Sequence, residues 1–365
     1  MTQAPTPTAD TVRRLVRSLL LKDGKDGKDG KEGTAGKEAQ EADEGRAGKS
    51  GTGAQGGKGT KGSKGAKDGT GRKDGSGTAV APDVRPVAED AGHATWWVGT
   101  RHVLRLATDR EATTRQRREL RLRDLVRPHV PVAVPTSVAH GEWAPGLTYT
   151  LDTKVPGGSG ERHDVSAVGE ADLAALLTGL REVPLRQAET LGVPRVAPRS
   201  LEGLRRTAGR AAERLAAADE FDPARLHQLT PPAAIQLAAQ PGATVLVHHA
   251  LTGDHLVVSA DGRVRGVLGW ADAVVGDPAE DIAGLARAVG SPAAVRAATL
   301  AGYGARPCLR GLWLARCDTV VHLAEALANQ GADALPLRTQ LRRAWEPILL
   351  ERVTDLRGTE TDDGL

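Results

Sequence analysis

Apolar positions along the chain follow a helical period first, then vanish, then return in a mixture of two periods. Val12, Leu15, Val16, Leu19 and Leu20 recur at the spacing of one helix face, and Asp10 just ahead of them is a natural N-cap. From Asp23 to Gly77 there is no Val, Ile, Leu, Met, Cys, Phe, Trp or Tyr, and 18 of the 55 residues are glycine. Ordering a backbone costs roughly 1–2 kcal/mol per residue, and this segment has no apolar surface to offset it. It is therefore expected to be disordered. Glycines recur every third residue from Gly24 to Gly36 and from Gly59 to Gly65, but the phase breaks between the runs and no proline is present. That argues against a collagen helix and for a flexible charged insertion.

Beyond residue 80 the pattern regains apolar alternation. Residues 95–98 and 102–106 predict two strands around the Gly99-Thr100 turn, a charged helix follows over 109–125, and 143–151 returns to the sheet after a proline-punctuated connector. After Pro156-Gly157-Gly158-Ser159-Gly160 the period is mostly helical, with helices expected over 170–180, 201–218, 279–289, 292–301, 311–328 and 336–350. The exception is 245–281. Val245 to Val247 predicts a strand, residues 248–255 a polar loop, and residues 256–258 and 264–268 a hairpin turning at Ala260-Asp261-Gly262. It is the only clear extended structure expected in the helical half. The pattern implies an α+β fold: an N-terminal helix (8–22), the insertion (23–79), a small mixed lobe (80–155), a larger helical lobe (156–350) and a flexible tail (351–365).

Composition narrows the class. Hydrophobic residues make up 39% of the 365, but aromatics only 2%, so the core must be built from Leu, Val and Ala. A formal charge of +3 is too small to imply nucleic acid or a membrane surface. The insertion matches 12 basic side chains with 10 acidic ones, again unlike a nucleic-acid tail. It suggests instead a loop able to recruit a protein partner by mixed charge. Cys308 and Cys317 read as buried reduced thiols, and no export signal or long apolar run is visible, so a cytoplasmic location is expected.

The chemistry lies in 245–281. The run Val247-His248-His249-Ala250-Leu251-Thr252-Gly253-Asp254-His255-Leu256, then Leu268-Gly269-Trp270, Gly276-Asp277-Pro278 and Asp281, resembles the catalytic region of the aminoglycoside and macrolide phosphotransferase family, whose fold is protein-kinase-like. The resemblance covers about 8–22 and 82–350. It implies a nucleotide-binding small lobe, a helical lobe, ATP or GTP with Mg2+ as cofactor, and a small-molecule ligand in the interlobe cleft. It also implies phosphate-binding roles for Arg105, its helix partner Glu119 and the metal-side His255.

The chain departs from that pattern at its acids. The family's hydroxyl-orienting aspartate falls on Ala250, the glycine before it on His249, and the main metal aspartate on Gly269. A methyl group accepts no proton, and magnesium is held chiefly by carboxylate and phosphate oxygens. The resemblance thus implies an inactive or strongly impaired enzyme, with no catalytic or metal residue assigned and nucleotide binding weak or absent. The alternative is an active ATP- or GTP-dependent enzyme that phosphorylates an alcohol with the displaced acids Asp254 and Asp272. Three further possibilities stand beside these: a zinc-like site of His248, His249, His255 and Asp272; Arg105–Glu119 as a plain surface ion pair; and Asp277 and Asp281 as turn and helix-start residues. The loop expected over the phosphates, Ala91-Gly92-His93-Ala94-Thr95, keeps one glycine.

Overall fold

A computed structural model describes residues 7–26, 83–87, 93–240, 243–329 and 333–348, with backbone only for 20–26. The chain divides into two compact units, residues 13–82 and residues 1–12 with 83–365. Helix α1 (Ala9–Asp26) crosses that division. It continues past Lys22, so its last turn is formed by residues assigned from composition to the insertion. The rest of the insertion, and the disorder expected of it, lie outside the described residues, as does the tail 351–365.

In the larger unit a five-stranded antiparallel sheet is made of β1 (Val84–Pro86), β2 (His93–Val98), β3 (His102–Ala107), β4 (Ser137–Ala144) and β5 (Leu147–Thr153), in the order β1-β2-β3-β5-β4. Alternation sets its register: Leu104 pairs with Trp96 on one side and Leu151 on the other, and all three are buried. Between β3 and β4 runs α2 (Arg110–Val126), capped by Asp109, whose Oδ1 accepts the Ala112 N–H at 2.7 Å. Its buried face is unusually polar, with Gln116, Glu119 and Arg123 beside Leu122 and Val126. Gln116 is satisfied from the sheet: Thr148 Oγ1 donates to Gln116 Oε1 at 2.7 Å, and Gln116 Nε2 donates to the Arg105 carbonyl at 3.1 Å.

After β6 (Gly158–Ser159) come α3 (Ala167–Glu182), α4 (Leu185–Thr190), α5 (Leu201–Ala217), a 3-10 turn (Pro223–Gln228) and α6 (Pro231–Gln236). The region expected to carry the chemistry follows as β7 (Val245–Val247), β8 (Leu256–Val258), β9 (Val264–Val267), a 3-10 turn (Trp270–Asp272) and β10 (Val274–Gly276). The helices α7 (Ala279–Val289), α8 (Ser291–Leu300), α9 (Ala305–Ala328) and α10 (Leu335–Ala344) close the described chain. Two strands beyond the expected unit appear here: β10 pairs antiparallel with β7, and β6 with β8. Both are two or three residues long, too short for a period to register. The helix expected over 336–350 ends at Ala344, because Pro347 offers no N–H and disfavours a helical Glu346. Helix α9 starts at Ala305 rather than 311, since a proline at 307 is tolerated in a first turn.

Helix α9 is buried on almost every side, by Leu312, Ala315, Thr319 and Leu323 on the expected stripe and by Arg310, Arg316 and Asp318 elsewhere. Cys308 and Cys317 on this helix are buried and free. The connector before β4 bonds to β9, with the Ala133 N–H donating to the Arg265 carbonyl and the Val267 N–H to the Ala133 carbonyl. Gly266 sits at that crossing, where an added Cβ would lie 2.7 Å from the Ala133 oxygen. No helix among the described residues is long and apolar enough to cross a membrane.

Candidate functional site

The loop between β7 and β8 is held from below by one carboxylate. Asp281 on α7 accepts the His248 N–H through Oδ2 and the His249 N–H through Oδ1, both at 2.8 Å. Read from sequence, Asp281 belonged to its own helix start; in fact it serves a loop 33 residues away, while Asp277 does cap α7 by accepting the Ala279 N–H at 3.0 Å. Burial pushes the Asp281 carboxyl up to about 7 against the opposing pull of those two N–H bonds. The clamp fixes a left-handed backbone at His249, whose φ of 70° is unusual for a residue with a side chain.

His248 is fully buried and does no chemistry of its own. Its Nε2 donates to the Leu268 carbonyl at 2.8 Å and its Nδ1 accepts the Ala250 N–H at 3.3 Å. The ring stacks edge-on against Trp270 at 4.6 Å between centroids. Burial, with His255 nearby, pushes its pKa down to about 3, so it is neutral at ordinary pH. With both nitrogens engaged it is unavailable to a metal, which removes it from the zinc-like set. Among the described residues, no three His, Cys, Asp or Glu side chains are grouped to hold a metal ion.

His255 faces the place where a second acid would stand. Its Nδ1 donates to the Ala250 carbonyl at 2.7 Å, which leaves the lone pair of a neutral ring on Nε2. That Nε2 lies beside Gly269: a Cβ added there would come within 2.6 Å of Nε2, 2.7 Å of Cδ2 and 2.8 Å of Cε1. Gly269 also has a φ of 77°, which a side chain resists. A side chain at 269 would therefore require the imidazole, the movable end of the His255 side chain, to shift. Asp254 is more than half exposed, with Oδ2 4.0 Å from His255 Nε2, and Asp272 is exposed at the end of the 3-10 turn.

On the sheet, Arg105 Nη1 donates to both oxygens of Glu119, at 2.9 and 2.8 Å. This is no surface pair, because the Glu119 side chain is 2% exposed. Sequence missed two arginines that complete the arrangement. Arg123, one turn further along α2, approaches Glu119 at 3.3 Å and Asp152 on β5 at 3.1 Å. Burial alone would raise the Glu119 pKa, but Arg105 and Arg123 outweigh it and hold the carboxyl at about 2. Arg118, on the same helix, reaches the loop after Gly269 and donates to the Ala271 carbonyl at 2.6 Å. Spacing alone does flag Arg123 at i+4 from Glu119; nothing local points to Ala271. Of the loop expected over the phosphates, Ala91 and Gly92 lie outside the described residues, and His93, Ala94 and Thr95 open strand β2.

A mixed antiparallel sheet with one internal helix, a β-strand leading into an Asp-clamped loop, and a helical remainder define a kinase-like phosphotransferase architecture. The chain belongs to the phosphotransferase enzyme family, whose model matches residues 83–312. Among solved structures it is similar to wild-type aminoglycoside 2'-phosphotransferase-IIIa in complex with GDP, at 19% identity and TM-score 0.55, over 72% of this chain and 92% of that one. It is similar also to APH(2")-IIIa with GDP and kanamycin, at 18% identity and TM-score 0.52, over 76% and 94%. No curated protein matches the sequence.

Proposed function

We propose that this phosphotransferase-family chain is a nucleotide-binding protein of the two-lobed type that has given up metal-dependent phosphoryl transfer. The partition falls near residue 155, with the nucleotide side on the sheet and the acceptor side on the helices. The observation that carries the reading is the pairing of Gly269 with the His255 ring. The acid is absent, and the space for it is filled by an imidazole anchored to the carbonyl of Ala250, itself the other missing acid. The Arg105–Glu119 pair, by contrast, is buried, bidentate and reinforced, and an arginine held in that way suits phosphate oxygens. Two structures similar in fold are GDP complexes, which supports ATP or GTP as the ligand here. A hydroxylated small molecule of the aminoglycoside or macrolide kind is the matching acceptor-side ligand.

Calorimetric titration with ATP and GTP, each with Mg2+ and with chelator, tests this together with a phosphate-transfer assay over both antibiotic classes. Saturable binding that is indifferent to Mg2+, with no transfer, is the expected result. Mg2+-dependent binding with turnover would overturn it and favour the rival, an active enzyme using the displaced acids Asp254, whose Oδ2 lies 4.0 Å from His255 Nε2, and Asp272. In that case Asp254→Ala would abolish the turnover. We also propose that segment 23–77 recruits a protein partner. Unchanged pull-down partners after its deletion would rule that out.

A further inference from the structure

At the opposite end of β7 from the His248 loop, where Val245 begins the strand, lies a cavity of about 460 Å³. Its walls come from the end of α3, the junction of α8 and α9, and the segment leading into β7. Charge in this cavity is one-sided. The only acid lining it, Asp277, is spoken for: Oδ2 accepts from Arg310 Nε at 2.6 Å and Oδ1 from the Ala279 N–H. Arg310 is equally saturated, donating to the Leu237 and Arg199 carbonyls at 3.3 and 2.8 Å.

Two other guanidinium groups have no carboxylate among the described residues. Arg181 donates through Nη1 to the Ala301 carbonyl at 2.6 Å and lies 4.9 Å over the Tyr303 ring, which holds its fork at the cavity wall. Arg306, in the first turn of α9, is exposed and makes no ion pair with a described residue. The Tyr303 hydroxyl has no hydrogen-bond partner among the described residues, and burial pushes its pKa upward, so it stays a donor. Helix α9, 24 residues long, has glycine at its N-cap, no side-chain cap and no acid in its first turn, which leaves the positive end of its dipole facing the same space.

The cavity's unused charged groups are thus cations, joined by the neutral amide of Gln240 and the Tyr303 hydroxyl, and its surplus charge is positive. We propose that it binds an oxyanion-bearing small molecule, a phosphomonoester or a carboxylate, through Arg181, Arg306 and the Tyr303 hydroxyl. A polycationic aminoglycoside has the wrong sign for it, so this site is separate from any acceptor site above. An anion also explains why two arginines and an uncapped helix are gathered here at a cost in mutual repulsion.

The test uses the full chain at fixed ionic strength, with inorganic phosphate, phenyl phosphate and benzoate as probes, and benzyl alcohol and benzylamine as neutral and cationic controls. Titration calorimetry should show saturable binding of at least one anion and none of either control; the stronger of phenyl phosphate and benzoate identifies the oxyanion preferred. Arg306→Gln, at an exposed side chain without a partner, should leave the melting temperature of the free protein unchanged and weaken the anion on the order of tenfold, as loss of one charge-assisted hydrogen bond implies. Tyr303→Phe should weaken it by a smaller factor. Absence of saturable binding at about 10 mM of every anion, or affinity unchanged in both Arg306→Gln and Arg181→Gln, would overturn the proposal. Unchanged affinity in those variants would place the phosphate elsewhere, at Arg105 for example.

Discussion

Gly269 and His255 set the sharpest residue-scale expectations. Asp tolerates a left-handed backbone better than most side chains, so the main cost of Gly269→Asp is displacing the imidazole, overpacking on the order of 1–3 kcal/mol. Gly269→Asp should therefore lower the melting temperature clearly, and His255→Asn in the same chain should recover part of the loss; a Gly269→Asp variant that melts like the parent would contradict the geometry. Glu119 makes a pH prediction. Its carboxyl sits at about 2 in the folded chain against an ordinary 4.5, so its contribution is fully present above 4.5 and is lost as pH falls from 4.5 through 2. The full loss is roughly 3 kcal/mol. Denaturant melts from pH 6 to about 2.5 should show that decline, and Glu119→Gln should flatten it. Asp281→Ala strands the buried His248 N–H, worth about 1–3 kcal/mol, and frees the part-buried His249 N–H, and should clearly destabilise the fold in chemical denaturation.

At the scale of elements, α2 decides whether the sheet side is competent to hold phosphate. Arg105 and Arg123 share Glu119, but Arg123 is fully buried and also bonds Asp152, whereas the Arg105 side chain is 14% exposed. Removing one partner of a buried pair costs about 3–5 kcal/mol, so Arg123→Gln should strike folding, seen in chemical denaturation. Arg105→Gln should cost less stability and strike nucleotide affinity instead, since Glu119 keeps a second arginine. Equal effects of the two substitutions on both readouts would show that the arginines are not divided in this way. Elements were legible in sequence where their periods were long. Helix α2, α7 and the β2–β3 hairpin emerge close to expectation because an apolar face or alternation runs through them. The strands β6 and β10 and helices α4 and α6 were not, because pieces of two to six residues carry less than one or two periods and exist only through what they pair with.

For the whole molecule the expected signature is stabilisation by nucleotide without metal. ATP or GTP at about 100 times its Kd should raise the unfolding free energy by about 2.7 kcal/mol, equally with Mg2+ and with chelator. A shift that appears only with Mg2+ would return the chain to the active members of its family. Sequence by itself determined the α+β pattern, the family resemblance, and the two positions, 250 and 269, where acids are missing, because these are properties of residue type and spacing along one strand of chain. It also named Arg105, Glu119 and His255. Tertiary structure alone decided what each does: that His248 is locked by Leu268 and Ala250, that Asp281 clamps a distant loop, that the His255 ring crowds the position of a side chain at 269, and that Arg118 and Arg123 join the site from the same helix. The physical reason is range. Periodicity and turn chemistry act within a few residues, whereas the bonds to Leu268, Asp281 and Ala271 close between groups 20 to 153 positions apart, where only the folded chain brings donor and acceptor together.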